Sequence, residues 1–381
     1  MSDDRRRYED VPYDRELIRS GGVTDSRPRP RPADTPRRDR APVRYRAPRR
    51  ESSFGRQLWR VLAIALLAVV VVAVLIGVRA VAFNASVSSA PFPTSSLLGA
   101  LNGSDRVNVL LVGYGGPNHG GPFLADSIQI MSIDPSTDTT TTIPIPRDLW
   151  IEGVAGYDRA SKVNEVFSVG NAEGGLDRAG ELLANVLSTV TGLRIDHFIS
   201  IDFDGFREMV DAVGGVTIDN PTPFSYTMSP DQHAVGDWSD GSFETGQLHL
   251  NGDEALAYAR ARYTSVPSES NDFARSIRQA RILSALRGQL GGGGIGAIMP
   301  GMRLMDAMEG RTRTDLSTID LFLLSSHLES DRRIELSEGP VLTATSASNG
   351  AYILVPTGWA GPGDYGGIQS YLGSELAADA P

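Results

Sequence analysis

The sequence predicts an α/β domain with a mixed central sheet flanked by helices, preceded by one transmembrane helix. Three observations carry this. From about residue 105 onward, strand-like runs and amphipathic helical runs are interspersed without a strict βαβ rhythm. Ahead of them, Val61 to Val78 form an uncharged apolar run of 18 residues, near the lower end of the roughly 17–25 needed to cross a bilayer. Ahead of that run lies an Arg- and Pro-rich stretch that offers little to bury.

Residues 1–58 read as a disordered cytoplasmic arm. The first 60 residues hold 17 arginines against 10 acidic residues, while the rest of the chain is acidic. Residues 59–83 read as an uncleaved anchor: Arg60 and Arg79 flank the run, and Ala80 to Phe83 extend it. The arginine excess places the N-terminus in the cytoplasm and residues beyond 83 outside, at the cell membrane. Residues 84–104 are small and polar and read as a stalk.

The domain proper is expected over 105–381. VNVLLV (107–112) is a buried strand, followed by a glycine-rich loop, GYGGPNHGG, that lacks the lysine of a P-loop. SIQIMSI (127–133) and TTTTIPI (139–145) pair as strands. Residues 173–191 are an amphipathic helix, HFISID a strand, and Phe203 to Val213 a helix stopped by Gly214 and Gly215. Residues 220–251 are loop-rich with hairpin signals. Helices follow at 252–261, 272–290, 296–308 and 315–329, and RRIELS, AYILVP and a short helix (367–378) close the domain.

Composition removes several chemistries. There is no cysteine, so disulfides, thiolate catalysis and cysteine-ligated metals are excluded, and five histidines leave little room for a histidine cluster. The acidic C-terminal part is a poor nucleic-acid binder, and no nucleic-acid partner is expected. There is no GxSxG elbow and no HExxH. Lys162 is the one lysine in the chain.

The residues that carry chemistry concentrate in Tyr258 to Gln279. Arg260 and Arg262 precede a polar connector, Ser265 to Asn271, expected to be flexible. Asn271 or Asp272 can cap the next helix, on which Asp272, Arg275 and Gln279 share one face and Arg278 falls off it. Two arginine pairs suit the oxygens of a diphosphate. Arg147 and Asp148 leave a strand that ends in Pro144 and Pro146, which aims both from a sheet's end. Asp126 starts the preceding strand and can hold Mg²⁺. Lys162 and Asn164 fall on one side if extended, and Asp211 reads as a helix brace. The set fits a polyphosphate ligand with a divalent ion better than an acyl or glycosyl substrate.

ADSIQIMSID, IPIPRDLWI, SKVNEVF, HFISIDFDGFREMVDAVGGV, LNGDEALAYARAR and NDFARSIRQARIL, in this order, closely resemble the LytR-CpsA-Psr family over roughly 105–335. The resemblance implies a membrane-anchored phosphotransferase of an α/β sandwich fold. Such an enzyme moves a glycopolymer from a polyprenyl-diphosphate carrier, with its proximal phosphate, onto a peptidoglycan sugar hydroxyl. It implies partners in the lipid-linked glycopolymer, peptidoglycan and membrane lipid, with Mg²⁺ (or Mn²⁺) as cofactor. By position it implies diphosphate binding by Arg147, Lys162, Arg260, Arg262 and Gln279, catalysis by Arg275 and Asp272, and metal binding by Asp126 with Asp148. One departure stands out: where many members carry an aspartate after the first strand, this chain has Tyr114 or Gly115. The competing reading is a membrane-bound sensor or transcriptional attenuator that binds lipid diphosphates without turnover. A side pyrophosphatase activity, with water as acceptor, is a variant of the first.

Overall fold

The structure is a computed structural model. It describes residues 53–90, 96–103, 105–117, 119–227, 240–290, 298–325, 327, 332–378. The predicted arm therefore lies almost wholly outside the described residues. The chain divides into residues 1–60 and residues 61–381, and every strand among the described residues belongs to the second unit.

Helix α1 (Ser53–Val87) contains the apolar run, whose described side chains from Leu62 to Val78 are exposed apart from the half-buried Ile76. This helix is long and apolar enough to cross a membrane. Its last turns pack into the domain. Phe83 and Val87 are buried, Asn84 accepts a hydrogen bond from the Thr318 amide at 2.9 Å, and Arg79 pairs with Asp306 and Glu309. Ser88 bridges to Thr314, and a short helix, α2 (Leu97–Leu101), is capped onto the domain by the Asp320 carboxylate. The stretch expected to be a stalk is thus packed at both its ends.

The central sheet is built from β1 (Val107–Tyr114), β2 (Ala125–Asp134), β3 (Thr139–Pro144), β6 (His197–Asp202), β12 (Thr312–Thr314) and β13 (Arg332–Arg333), in the order β12, β6, β1, β2, β3, β13. It is mixed: β1 runs antiparallel to β2 and parallel to β6. Both faces are covered, which is why β1 reads as a nearly continuous apolar run. Leu110 and Val112 face a core shared with α3 (Val163–Thr191) and the terminal helix α9 (Gly366–Ala377), while Val107 and Val109 face Leu97, Leu316 and Leu324.

Helix α3 begins ten residues before its predicted start and is interrupted at Gly174 and Gly175, the latter at φ 79°. Lys162 ends a two-residue strand, β5 (Ser161–Lys162), paired to β4 (Trp150–Ile151), whereas Asn164 is already helical and buried. The expected extended alternation of Lys162 and Asn164 is therefore not formed, because the helix starts at Val163.

A second core joins α4 (Phe203–Ala212), α5 (Gly252–Arg260) and α6 (Asp272–Leu290) to β7 (Val216–Asn220), β8 (Phe224–Thr227), β9 (Gly241–Phe243) and β10 (Gly246–Leu250). Helix α5 starts with a capping box between Asn251 and Glu254, and the Asp211 carboxylate accepts from the Gly252 amide at 2.7 Å, so Asp211 does brace a helix end. The Ser265 to Asn271 connector carries contacts of its own. It follows β11 (Tyr263–Thr264), contains a 3₁₀ turn at Pro267–Glu269, and is held by bonds from Thr264 to Ser270. Arg278, fully buried, pins this connector: it donates to the carbonyls of Tyr258, Glu269 and Ala261 and pairs with the Glu269 carboxylate at 2.7 Å. Two further helices, α7 (Ile298–Met308) and α8 (Thr318–Ser325), precede β14 (Leu342–Ser346) and β15 (Tyr352–Pro356), which form a hairpin of their own. Helix α8 is shorter than the 315–329 expected from the sequence, starting where Ser317 and Asp320 cap each other.

Candidate active site

The site forms where the start of β2, the exit of β3, the end of α5 and the first turns of α6 meet. Asp126 is the second residue of β2. Beyond β3, Pro144 and Pro146 fix the path of the chain, and Arg147 turns back so that its Nη1 donates to Asp126 Oδ1 at 3.0 Å. Asp148 follows, 6 % exposed, with its Oδ2 at 3.7 Å from Arg147 Nε and its Oδ1 accepting from Lys162 Nζ at 2.5 Å. Arg260, at the last turn of α5, places Nη2 at 3.7 Å from Asp126 Oδ2. These contacts join Lys162, Asp148, Arg147, Asp126 and Arg260 into one connected array.

Arg262 lies close enough to Arg260 to act on its charge. Burial pushes the Arg260 guanidinium down. Asp126 opposes that shift, while Arg147 and Arg262 add to it. Four cations thus stand with two carboxylates, an arrangement with surplus positive charge that suits an anionic ligand.

Helix α6 supplies the facing wall. Asn271, not Asp272, caps it, accepting from the Ala274 amide at 2.8 Å. Arg275, 7 % exposed, and Gln279 line a small cleft with Asp126, Pro146, Arg147 and Phe273. Gln279 accepts from Ser127 Oγ at 2.8 Å and Gln129 Nε2 at 3.2 Å, and so ties α6 to β2. Eight of the nine residues expected from sequence are brought to this one region. The side chain of the ninth, Asp272, lies outside the described residues, although its backbone opens α6.

Two neighbours of the array carry no signal in the sequence. The Arg260 guanidinium lies over the Phe203 ring at 4.1 Å, and the His119 ring meets Phe203 edge-on at 5.3 Å. Burial, then the Arg260 charge, lowers the His119 pKa below its ordinary value. His119 belongs to the glycine-rich loop, closed by the Gly116 amide donating to the Pro122 carbonyl at 2.7 Å. A Cβ at Gly115 would lie 2.9 Å from that of His119. The histidine therefore occupies the space that a side chain at position 115, where the resemblance implies an aspartate, would need. Tyr114, the other residue there, is buried against Phe123 and Phe167 and belongs to the core. Phe203 reads in sequence as an ordinary core residue, and His119 as a histidine in a loop with no phosphate-binding pattern.

The LytR_cpsA_psr family model matches residues 79–358. The polyisoprenyl-teichoic acid–peptidoglycan teichoic acid transferase TagV of Bacillus subtilis (strain 168) is 36% identical over 164 residues, 42% of this chain, and the match spans 38% of that relative's length. TagU of Halalkalibacterium halodurans, a transferase of the same printed description, is 28% identical over 260 residues, 67% of this chain and 76% of that relative. The crystal structure of B. subtilis TagV superimposes with a TM-score of 0.52 at 24% identity, covering 73% of this chain and 100% of that one, which shows a shared fold. With nearly three quarters of its length matched by the family model, the chain belongs to the LytR_cpsA_psr family.

Proposed function

We propose that the domain is a phosphotransferase that moves a glycopolymer from a polyprenyl-diphosphate carrier onto a sugar hydroxyl of peptidoglycan, in cell wall assembly. The observation that carries this reading is the joined array of Lys162, Asp148, Arg147, Asp126 and Arg260, faced by Arg275 across a cleft. Relatives named as teichoic acid transferases support the same class of reaction.

Phosphoryl transfer asks mainly for positioning and charge neutralisation. Arg147, Arg260, Arg262 and Lys162 hold the diphosphate, with Arg260 steadied on the Phe203 ring. The acceptor hydroxyl oxygen bonds to the phosphorus nearer the glycopolymer. The bond from that phosphorus to the bridging oxygen breaks, and polyprenyl phosphate leaves with the electron pair. Arg275, near the start of α6, neutralises the equatorial oxygens as charge shifts to the leaving group. Asp272 orients the acceptor hydroxyl and takes its proton. Gln279 keeps α6 in register with β2. Water in the acceptor's place gives pyrophosphatase turnover.

The donor set fits Mg²⁺ or Mn²⁺. Asp126 and Asp148 both contact Arg147, and the described residues hold no group of three or more His, Asp or Glu that would make a protein-only cage. A hard ion that keeps its waters and takes one or two carboxylates plus substrate phosphate oxygens matches this set. When bound, it supplies further neutralisation of phosphate charge. The apolar run of α1 would cross the cell membrane, with the arginine-rich arm in the cytoplasm and the domain outside.

The test uses the full chain in lipid nanodiscs with a labelled polyprenyl-diphosphate glycopolymer, peptidoglycan and Mg²⁺. Wild type is expected to release polyprenyl phosphate and Arg275→Ala to lose most of that release. Binding without release, as a sensor would give, overturns the reading.

A further inference from the structure

The three-stranded sheet of β11, β8 and β9 has two unlike faces. One buries Phe224, Tyr226 and Phe243 against Tyr258. The other carries hydroxyls. Ser225 stands opposite Ser242, and Thr227 opposite Tyr263. Ser225 and Thr227 are two apart on one strand, so all four side chains share that face. An open groove runs over it, walled by Ser265 and Ser270 of the connector and by Asp240. Tyr263 exposes 55% of its surface there.

One feature separates this groove from an ordinary solvated strand face. Arg262 lines it, and the same Arg262 acts electrostatically on Arg260 in the diphosphate array. Arg260 and Tyr263 are three residues apart, so their Cα atoms stand at most roughly 11 Å from each other.

We propose that this groove binds the glycan chain of the acceptor and feeds its reacting hydroxyl past Arg262 to the diphosphate. This rests on the phosphotransferase reading above. The lining chemistry chooses the ligand. Hydroxyl groups both donate and accept, as a polyhydroxylated sugar requires. An exposed tyrosine offers a flat amphipathic face for the C–H side of a sugar ring. Among the described residues that line it there is no aliphatic side chain for a prenyl chain. A phosphate-rich donor polymer would meet the Asp240 carboxylate, with Arg262 as the lone cation among the described lining residues. The order of the chain supports the assignment: the connector that walls the groove lies between the gripping arginines, Arg260 at the end of α5 and Arg262 just beyond it, and the reacting end of α6.

The experiment uses the full chain in nanodiscs with Tyr263→Ala and Ser242→Trp, the second of which fills the groove. Two rates are measured: polyprenyl phosphate release into water without acceptor, and transfer to soluble peptidoglycan glycan fragments. Both variants are expected to keep wild-type release into water and donor KM, and to raise acceptor KM by about 10-fold or more. An unchanged acceptor KM, or a rise in donor KM instead, overturns the proposal. If wild type releases no polyprenyl phosphate at all, the phosphotransferase reading fails. Direct titration with the glycan fragments then decides the groove: binding to wild type that Ser242→Trp abolishes supports it, and equal binding, or none, overturns it.

Discussion

Replacing Arg278 with alanine separates the structural arginine of α6 from the functional one. Its side chain is fully buried, donates to three backbone carbonyls, pairs with Glu269, and lies over the rings of Phe224 at 5.1 Å and Tyr258 at 5.9 Å. Truncation leaves the Glu269 carboxylate without its partner and those carbonyls without a donor. Breaking a buried pair costs about 3–5 kcal/mol, and each orphaned buried acceptor adds roughly 1–3 kcal/mol unless water reaches it. A loss of about 4 kcal/mol lowers Tm by roughly 8–16 °C in a domain of this size class. Arg278 also holds the carbonyls on either side of Arg260, so activity falls with stability. The assay is thermal unfolding of the full chain followed by circular dichroism, beside Arg275→Ala as control. Arg275→Ala is expected to keep most of its stability and lose turnover. A fall in Tm below about 3 °C for Arg278→Ala would refute the assignment of Arg278 as the pin of the connector.

Smaller perturbations test single contacts. Phe203→Leu removes the ring beneath Arg260, and with a desolvated cation–π contact worth about 1–2 kcal/mol should weaken lipid-diphosphate binding by roughly 10-fold, read by titration. His119 has its pKa lowered by burial and by Arg260, so the folded state binds fewer protons than the unfolded one. Its contribution to stability is present above the unfolded value of about 6.5 and declines as pH falls below it. His119→Gln should therefore show a smaller drop in Tm between about pH 7.5 and pH 5.5 than wild type. Asn84→Ala strips the Thr318 amide of its acceptor and should lower Tm by roughly 2–8 °C, from about 1–2 kcal/mol.

The central sheet and most helices were legible because both faces of β1 and β2 are buried and the helices keep an apolar stripe. The site was legible as a set of charged residues in ordered blocks, and the structure brings eight of them to one region. What escaped depended on tertiary contacts. Arg278 sits off the polar stripe of α6, which in sequence leaves it a structural or surface role, and the fold decides for the structural one by burying it against three carbonyls. Lys162 was expected to be extended beside Asn164. Helix α3 starts between them, so Lys162 reaches Asp148 from a strand end. The Ser265 to Asn271 stretch is mostly polar, and its contacts come from Ser270, Glu269 and Arg278, groups that no local pattern joins. Residues 84–104 read as a stalk by composition, yet Asn84, in the last turn of α1, finds a partner 234 residues away.

Phosphoryl transfer and glycosyl transfer differ in which bond breaks. A donor labelled with radioactive phosphorus at the phosphate nearer the glycopolymer tests this directly. After incubation with the full chain, peptidoglycan and Mg²⁺, the label should appear on peptidoglycan, and the lipid product should be unlabelled polyprenyl phosphate. Label that stays with the lipid while sugar reaches peptidoglycan would mean glycosyl transfer, and would contradict the reading of Arg147, Arg260, Arg262 and Arg275 as a phosphoryl-transfer site.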